Sequence, residues 1–164
     1  MELHDAGTFI RQATRAFGRL RSRGFRLHSA EATSTGATTI WVRSRLGVQA
    51  TWDKIDGYVD VRIVLLAEGE PPLESPVIYV PLSFLTQDQL TSTDYYWPAH
   101  AGTSHDSYVK LKHLAQALEL GGASTLEGDL GSFERFANGQ SGGMPGFDWW
   151  ASLPGNRPLD SEPD

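Results

Sequence analysis

The side chains best placed to do chemistry lie between Trp41 and Arg62. The stretch ATWDKIDGYVDVRIVLL, Ala50 to Leu66, reads as two strands joined at Asp56-Gly57. That dipeptide best tolerates the positive φ angles of a type I′ turn. With those two residues as the turn, Ile55 faces Tyr58, Asp53 faces Asp60 and Trp52 faces Val61. One face of the sheet then gathers Trp41, Arg43, Gln49, Thr51, Asp53, Tyr58, Asp60 and Arg62. Like charges directly opposite each other destabilise a sheet. The pair is tolerated where it meets a cation, a ligand or a basic partner residue, or where Arg62 relieves it diagonally. Trp41 and Tyr58 add rigid contact area of the type enriched in binding hot spots. The expected partner-binding set is therefore Trp41, Arg43, Asp53, Tyr58, Asp60 and Arg62. The plainer alternative is a solvent-facing sheet with Arg62 neutralising the acids. Two carboxylates also suit acid–base work on a glycoside, but adjacent positions on a flat sheet make a poor cleft.

Other constellations carry less. His100, His105 and His113, with Asp106, match no zinc-ligand spacing, and two histidines eight apart on a helix are too distant to share one ion. No metal or cofactor is expected. The aromatic run Asp94, Tyr95, Tyr96 and Trp97 could line a pocket for a small ligand, which is the alternative function, although such loops more often plug cores or cover sheet edges. The chain has no cysteine and no G-x-S-x-G, so nucleophilic catalysis has no support and no catalytic residue is assigned. The glycine-rich pieces QSGGMPG and LGGAS lack the lysine and the strand–helix context of a phosphate loop.

These residues need elements to hold them. Phe9, Ala13, Phe17 and Leu20 recur at helical spacing, which predicts an amphipathic helix over about 6–23 closed by Gly24. The period then changes to two. Phe25, Leu27 and Ser29 form one face of a strand, and a turn follows at Thr35-Gly36. A three-residue loop Arg45-Leu46-Gly47 then pairs Val42 with Ala50 and Ile40 with Trp52. That register puts Ile40 and Val42 on the core face and Trp41 outside. Pro76 and Pro81 bracket a short strand, Val77–Val80, which suits a sheet edge. Short helices are expected at about 87–91 and after Asp129, the latter carrying Phe133 and Phe136. Between them lies a longer helix at about 104–120 with the stripe Tyr108, Leu111, Leu114, Ala115 and Leu118. Phe147, Trp149 and Trp150 are apolar enough to dock on the body.

The expected fold is α+β: an antiparallel meander of four or five strands, with an N-terminal helix and C-terminal helices packed on one face. Residues 1–153 are expected to form one domain and 154–164 a disordered tail. The formal net charge is −6, unevenly placed. Residues 1–50 carry eight arginines against three acids, a net of +5, and residues 51–164 carry a net of −11. Such a distribution can steer a charged partner. Arg11, Arg15 and Arg19 line one helix flank, but the acidic whole and the lack of interleaved aromatics argue against nucleic acid. The opening MELHDAGTF lacks a basic region followed by an apolar run, and no stretch has the ~18 apolar residues of a membrane span. A cytoplasmic protein without membrane contact is expected.

Three patterns within about residues 9–85 go together: F-x-R-L-x-x-x-G-F from Phe17 to Phe25, T-T-I-W-V-R-S from Thr38 to Ser44, and V-Q-A-T-W-D-K-I-D-G-Y-V-D-V from Val48 to Val61. In these the chain resembles the small, acidic, cysteine-free cytoplasmic proteins of bacterial toxin–immunity loci and related uncharacterised families. The patterns describe a helix followed by a meander, and no functional residue is carried over from them. The resemblance implies a non-enzymatic module that occludes a basic protein partner, such as a toxin.

Overall fold

The computed structural model describes residues 6–66, 78–86 and 104–140. Five antiparallel strands lie in chain order across one sheet: β1 Arg26–Ala32, β2 Gly36–Arg43, β3 Leu46–Asp53, β4 Tyr58–Leu65 and β5 Ile78–Pro81. Helix α1, Ala6–Ala16, precedes the sheet. Helices α2 Leu82–Thr86, α3 Ser104–Gly121, α4 Ala123–Leu126 and α5 Gly131–Gln140 follow it. This is the expected α+β meander, with its helices gathered against one face in a shared core. The helix expected at 87–91, the Asp94–Trp97 loop, the Phe147–Trp150 segment and the tail at 154–164 lie outside the described residues.

The helical layer follows its apolar stripes. Phe9, Ala13, Ala16, Phe17 and Leu20 are all buried. To keep Phe17 and Leu20 on the sheet, the chain tightens after Ala16 into a 3-10 turn, Gly18–Arg23, and Gly24 ends it in the left-handed region at φ 88°. On α3, Leu111, Leu114, Ala115 and Leu118 are buried as their spacing demands. From the sheet, Trp41, Val48, Ala50, Trp52, Val59, Val61 and Ile63 meet these helices. The Phe9 ring stacks on Trp52 with centroids 6.0 Å apart and an interplanar angle of 26°. Each large apolar side chain buried in this way contributes about 1.5–3 kcal/mol. Helix α5 reaches the β5 side, where Phe136 packs between Tyr79 and Phe84 at centroid distances of 5.5 and 5.3 Å.

Three details of register differ from expectation. The β2–β3 connection is a two-residue turn at Ser44-Arg45, so Arg43 pairs with Leu46, Trp41 with Val48 and Ala37 with Trp52. This reverses the faces of β2. Trp41 turns inward and is fully buried, whereas Ile40 and Val42 turn outward. The tight turn holds Ser44 at φ 51°, which costs a non-glycine residue about 1–2 kcal/mol. Burying Trp41 and Leu46 outweighs that cost, at about 1.5–3 kcal/mol or more for each large side chain. The β3–β4 connection is a four-residue loop, Lys54 to Gly57, so Asp53 pairs with Tyr58, Thr51 with Asp60 and Gln49 with Arg62. Finally, the β1–β2 register shifts between Leu27 and Ser29. Leu27 packs on the core, whereas Ser29 pairs with the outward Ile40.

The outward face is consequently not uniformly polar. Ile40, Val42, Val64 and Leu66 form a second buried cluster there, with Tyr79 against it. Gly47 sits across from both Val42 and Val64. A Cβ at this glycine would lie 2.8 Å from Val64 Cγ2. Gly47 therefore serves as a gap in the packing of β3 rather than as a turn.

Candidate functional site

The two ends of the sheet carry opposite charge. Near the Ser44-Arg45 turn lie Arg23, Arg26, Arg43 and Arg45. Near the Lys54–Gly57 loop lie Glu31, Asp53, Asp56 and Asp60, with Lys54 among them. The arginines of the first end work mostly inside the protein. Arg23 reaches Glu119 at 3.6 Å and Glu127 at 3.3 Å, and Arg19 reaches Glu119 at 3.7 Å. The Arg15 guanidinium carbon stands 4.3 Å from the Tyr108 ring centroid. Of the expected stripe, Arg15 and Arg19 thus reach α3 while Arg11 donates to Thr8 on its own helix, and all three remain exposed.

Two residues expected at the binding face do not reach it. Trp41 is in the core, with the Arg21 guanidinium carbon 5.1 Å from its ring centroid. The reversed β2 register puts it there. Arg43 follows Trp41 to the helix side, where its guanidinium acts as a clamp. Nη1 donates to Arg23 O at 2.6 Å, Nη2 donates to Leu126 O, and the group lies 4.9 Å from the Phe25 ring centroid. It ties the end of the 3-10 turn and the end of α4 to the sheet.

Four residues do remain together on the outward face, in altered roles. Asp53 does not face Asp60, because the longer loop moves the pairing by two positions. The anticipated repulsion between directly opposed carboxylates is absent. Asp53 Oδ1 instead accepts the Ile55 N–H at 2.8 Å and the Asp56 N–H at 3.4 Å, which fixes the loop. Asp60 is exposed opposite Thr51, whose hydroxyl lies 2.9 Å from that of Thr38. Arg62 does not relieve the acids. Its Nε donates to Gln49 Oε1 at 2.6 Å, and its guanidinium lies 4.7 Å from the Tyr79 ring centroid. Tyr58 is 45% exposed and Ile55, at the loop tip, is 74% exposed.

Beside Tyr58 and Asp60 opens a groove of about 290 Å³, lined by Tyr58, Val59, Asp60, Val61, Pro81, Leu82 and Ser83. Neither Ile55 nor this groove was part of the expected set. A signal for the groove exists in the sequence. An edge strand of four, bracketed by prolines, can pair with only half of the eight-residue strand that precedes it. Among the described residues no three histidine, aspartate or glutamate side chains come together to hold a metal. No described helix is long and apolar enough to cross a membrane. The alternative ligand-pocket residues Asp94, Tyr95, Tyr96 and Trp97, and His100, lie outside the described residues.

No protein-family model matches the chain, and no significant match was found among curated proteins or among solved structures.

Proposed function

We propose that this chain is a non-enzymatic binding module that occludes a basic protein partner, in the manner of an immunity-type inhibitor. The binding surface is the aspartate end of the sheet. The observation that carries this reading is the composition of that end: Ile55 and Tyr58, two large exposed apolar side chains, stand among Asp53, Asp56 and Asp60. An aromatic anchor among three carboxylates and one lysine, Lys54, is a net acidic patch of the kind a salt-sensitive interface with a basic partner uses. The carboxylates steer encounter, and the buried aromatic holds the complex. The uneven charge of the sequence, +5 over residues 1–50 and −11 over residues 51–164, is in keeping with a module that meets a basic partner.

The test uses tagged protein to capture partners from its native cell extract at low and high salt. A stoichiometric basic protein that is lost as salt rises is expected. Tyr58→Ala should weaken capture about thirtyfold or more, as loss of a hot spot of about 2 kcal/mol does. Asp60→Lys should slow association. Both side chains are exposed, so stability should change by no more than about 0.5 kcal/mol. Asp53 is left native because its carboxylate holds the loop. Undiminished capture by both variants overturns the reading.

A further inference from the structure

We infer that β1, at the edge of the sheet, pairs antiparallel with β1 of a second copy of this chain. Arg26 of one copy lies opposite Glu31 of the other, Leu27 opposite Ala30, and His28 opposite Ser29. This goes beyond the function proposed above and does not depend on it.

β1 is the first strand of the sheet, and no described strand lies on its other side. None of its seven residues is buried. Arg26, His28, Glu31 and Ala32 are exposed, and Leu27, Ser29 and Ala30 are partly exposed. Ala30 and Ala32 sit opposite Thr39 and Ala37, which face inward and are fully buried, so their exposure belongs to the strand edge. Backbone groups are presented there as well. In an antiparallel ladder, successive residues aim their N–H and C=O groups to alternate sides. The Thr33 N–H donates to Gly36 O at 2.9 Å, so Gly36 faces β1, and Thr38, Ile40 and Val42 do so by alternation. Their partners Glu31, Ser29 and Arg26 therefore direct their backbone groups to β2. Leu27, Ala30 and Ala32 aim theirs at the open edge.

What fits this edge is the same edge reversed. The register slips between Leu27 and Ser29, leaving His28 as an extra residue. The slip puts Arg26 and Glu31 on one face, opposite the outward Val42 and Thr38. In an unbroken strand of period two they would point to opposite faces. A two-fold axis perpendicular to the sheet keeps each side chain on its face, so the slip is what lets Arg26 of one copy meet Glu31 of the other, twice. Neither side chain has an ion pair among the described residues. The same register sets Leu27 against Ala30, both with backbone groups aimed at the edge, which gives the ladder its bonds. Charged edges ordinarily resist pairing. Here the charges are opposite at the two ends, and a reversed copy neutralises them. Helix α1 does not obstruct the approach. It lies across β1 and β2, and Arg15 and Arg19 mark its flank toward α3. The other flank, toward the edge, carries the uncharged Gly7, Ile10 and Thr14. The contact is isologous and closes at two copies. Its small size makes the dimer a weak, concentration-dependent one.

The experiment is sedimentation velocity of the full-length protein from micromolar to millimolar concentration, where monomer should give way to dimer and to nothing larger. Arg26→Glu and Glu31→Arg should each weaken dimerisation about tenfold, because two attractive cross-strand pairs become repulsive. An equimolar mixture of these two variants should dimerise as the native chain does, since every pair across the contact is again of opposite charge. A folding defect cannot produce that recovery. Ala30→Pro removes an N–H aimed at the open edge, leaves the bonds to β2 in place and should weaken dimerisation by about tenfold or more. Amide hydrogen exchange by NMR locates the contact: Leu27, Ala30 and Ala32 should exchange faster than Ser29 and Glu31 in the dilute monomer and slow in the dimer. Four results overturn the proposal. The first is monomer at every concentration. The second is no recovery in the mixture. The third is Ala30 and Ala32 as slow as Glu31 in the dilute monomer, which means that the chain itself covers the edge. The fourth is a dimer lost in Asp60→Lys and kept in Ala30→Pro, which puts the contact at the aspartate end.

Discussion

The β2–β3 and β3–β4 hairpins share one strand and differ in what a misplaced turn does to them. At β2–β3 the sequence favours a three-residue loop ending at Gly47, and the chain uses two residues, Ser44 and Arg45. The pairing changes by an odd number, so every β2 side chain changes face: Trp41 goes into the core and Ile40 and Val42 go out. At β3–β4 the sequence favours a two-residue turn at Asp56-Gly57, and the chain uses four residues, Lys54 to Gly57. The pairing changes by two, so faces are kept and only opposition is lost: Asp53 leaves Asp60 and meets Tyr58. In a sheet with a side-chain period of two, parity decides whether an error in a loop moves a residue along its face or through the sheet.

Removing Trp41 breaks this comparison most sharply. Trp41→Ala should cost about 3–5 kcal/mol, as truncation of a fully buried indole does, read as a drop in the urea midpoint. A cost within about 0.5 kcal/mol, as at an exposed site, would mean that Trp41 is not in the core. The next effect is at Gly47. Gly47→Ala should cost about 1–3 kcal/mol, because its Cβ would lie 2.8 Å from Val64 Cγ2. Combining it with Val64→Ala should recover much of the loss. A double-mutant cycle without coupling would return Gly47 to the turn and restore the longer loop.

Whether a face could be read from the sequence depended on how cleanly it alternates. In β4, Val59, Val61 and Ile63 alternate with Tyr58, Asp60 and Arg62, and their faces follow from that pattern alone. The stripes of α1 and α3 are equally clear. β2 is different, because it is apolar on both sides: Ala37 and Trp41 on one, Ile40 and Val42 on the other. A strand buried on both faces has no alternation to read, so only the turn residues speak to its register, and Gly47 there favours a longer loop than the chain forms. That single difference carries Trp41 and Arg43 to the helix side. The loop at the aspartate end held a usable signal in Asp53, since an aspartate that can bond the N–H groups two and three residues on favours a longer turn. Following it would have brought Ile55 to the tip.

The two turns also differ in how they meet the need for positive φ, and this gives the smallest and most direct contrast. Gly57 adopts φ 74° and Ser44 adopts φ 51°. A left-handed conformation costs an L-residue about 1–2 kcal/mol, and glycine offsets part of its own advantage because it loses about 0.5–1 kcal/mol more entropy on folding. The difference sets opposite signs for two substitutions. Gly57→Ala should destabilise by about 0.5–1 kcal/mol, whereas Ser44→Gly should stabilise by about 0.5 kcal/mol. Equal signs in denaturant titration would mean that the β2–β3 turn is not strained at Ser44. The tight turn would then need no compensation from burial of Trp41 and Leu46, and side-chain burial would no longer account for the reversal of β2.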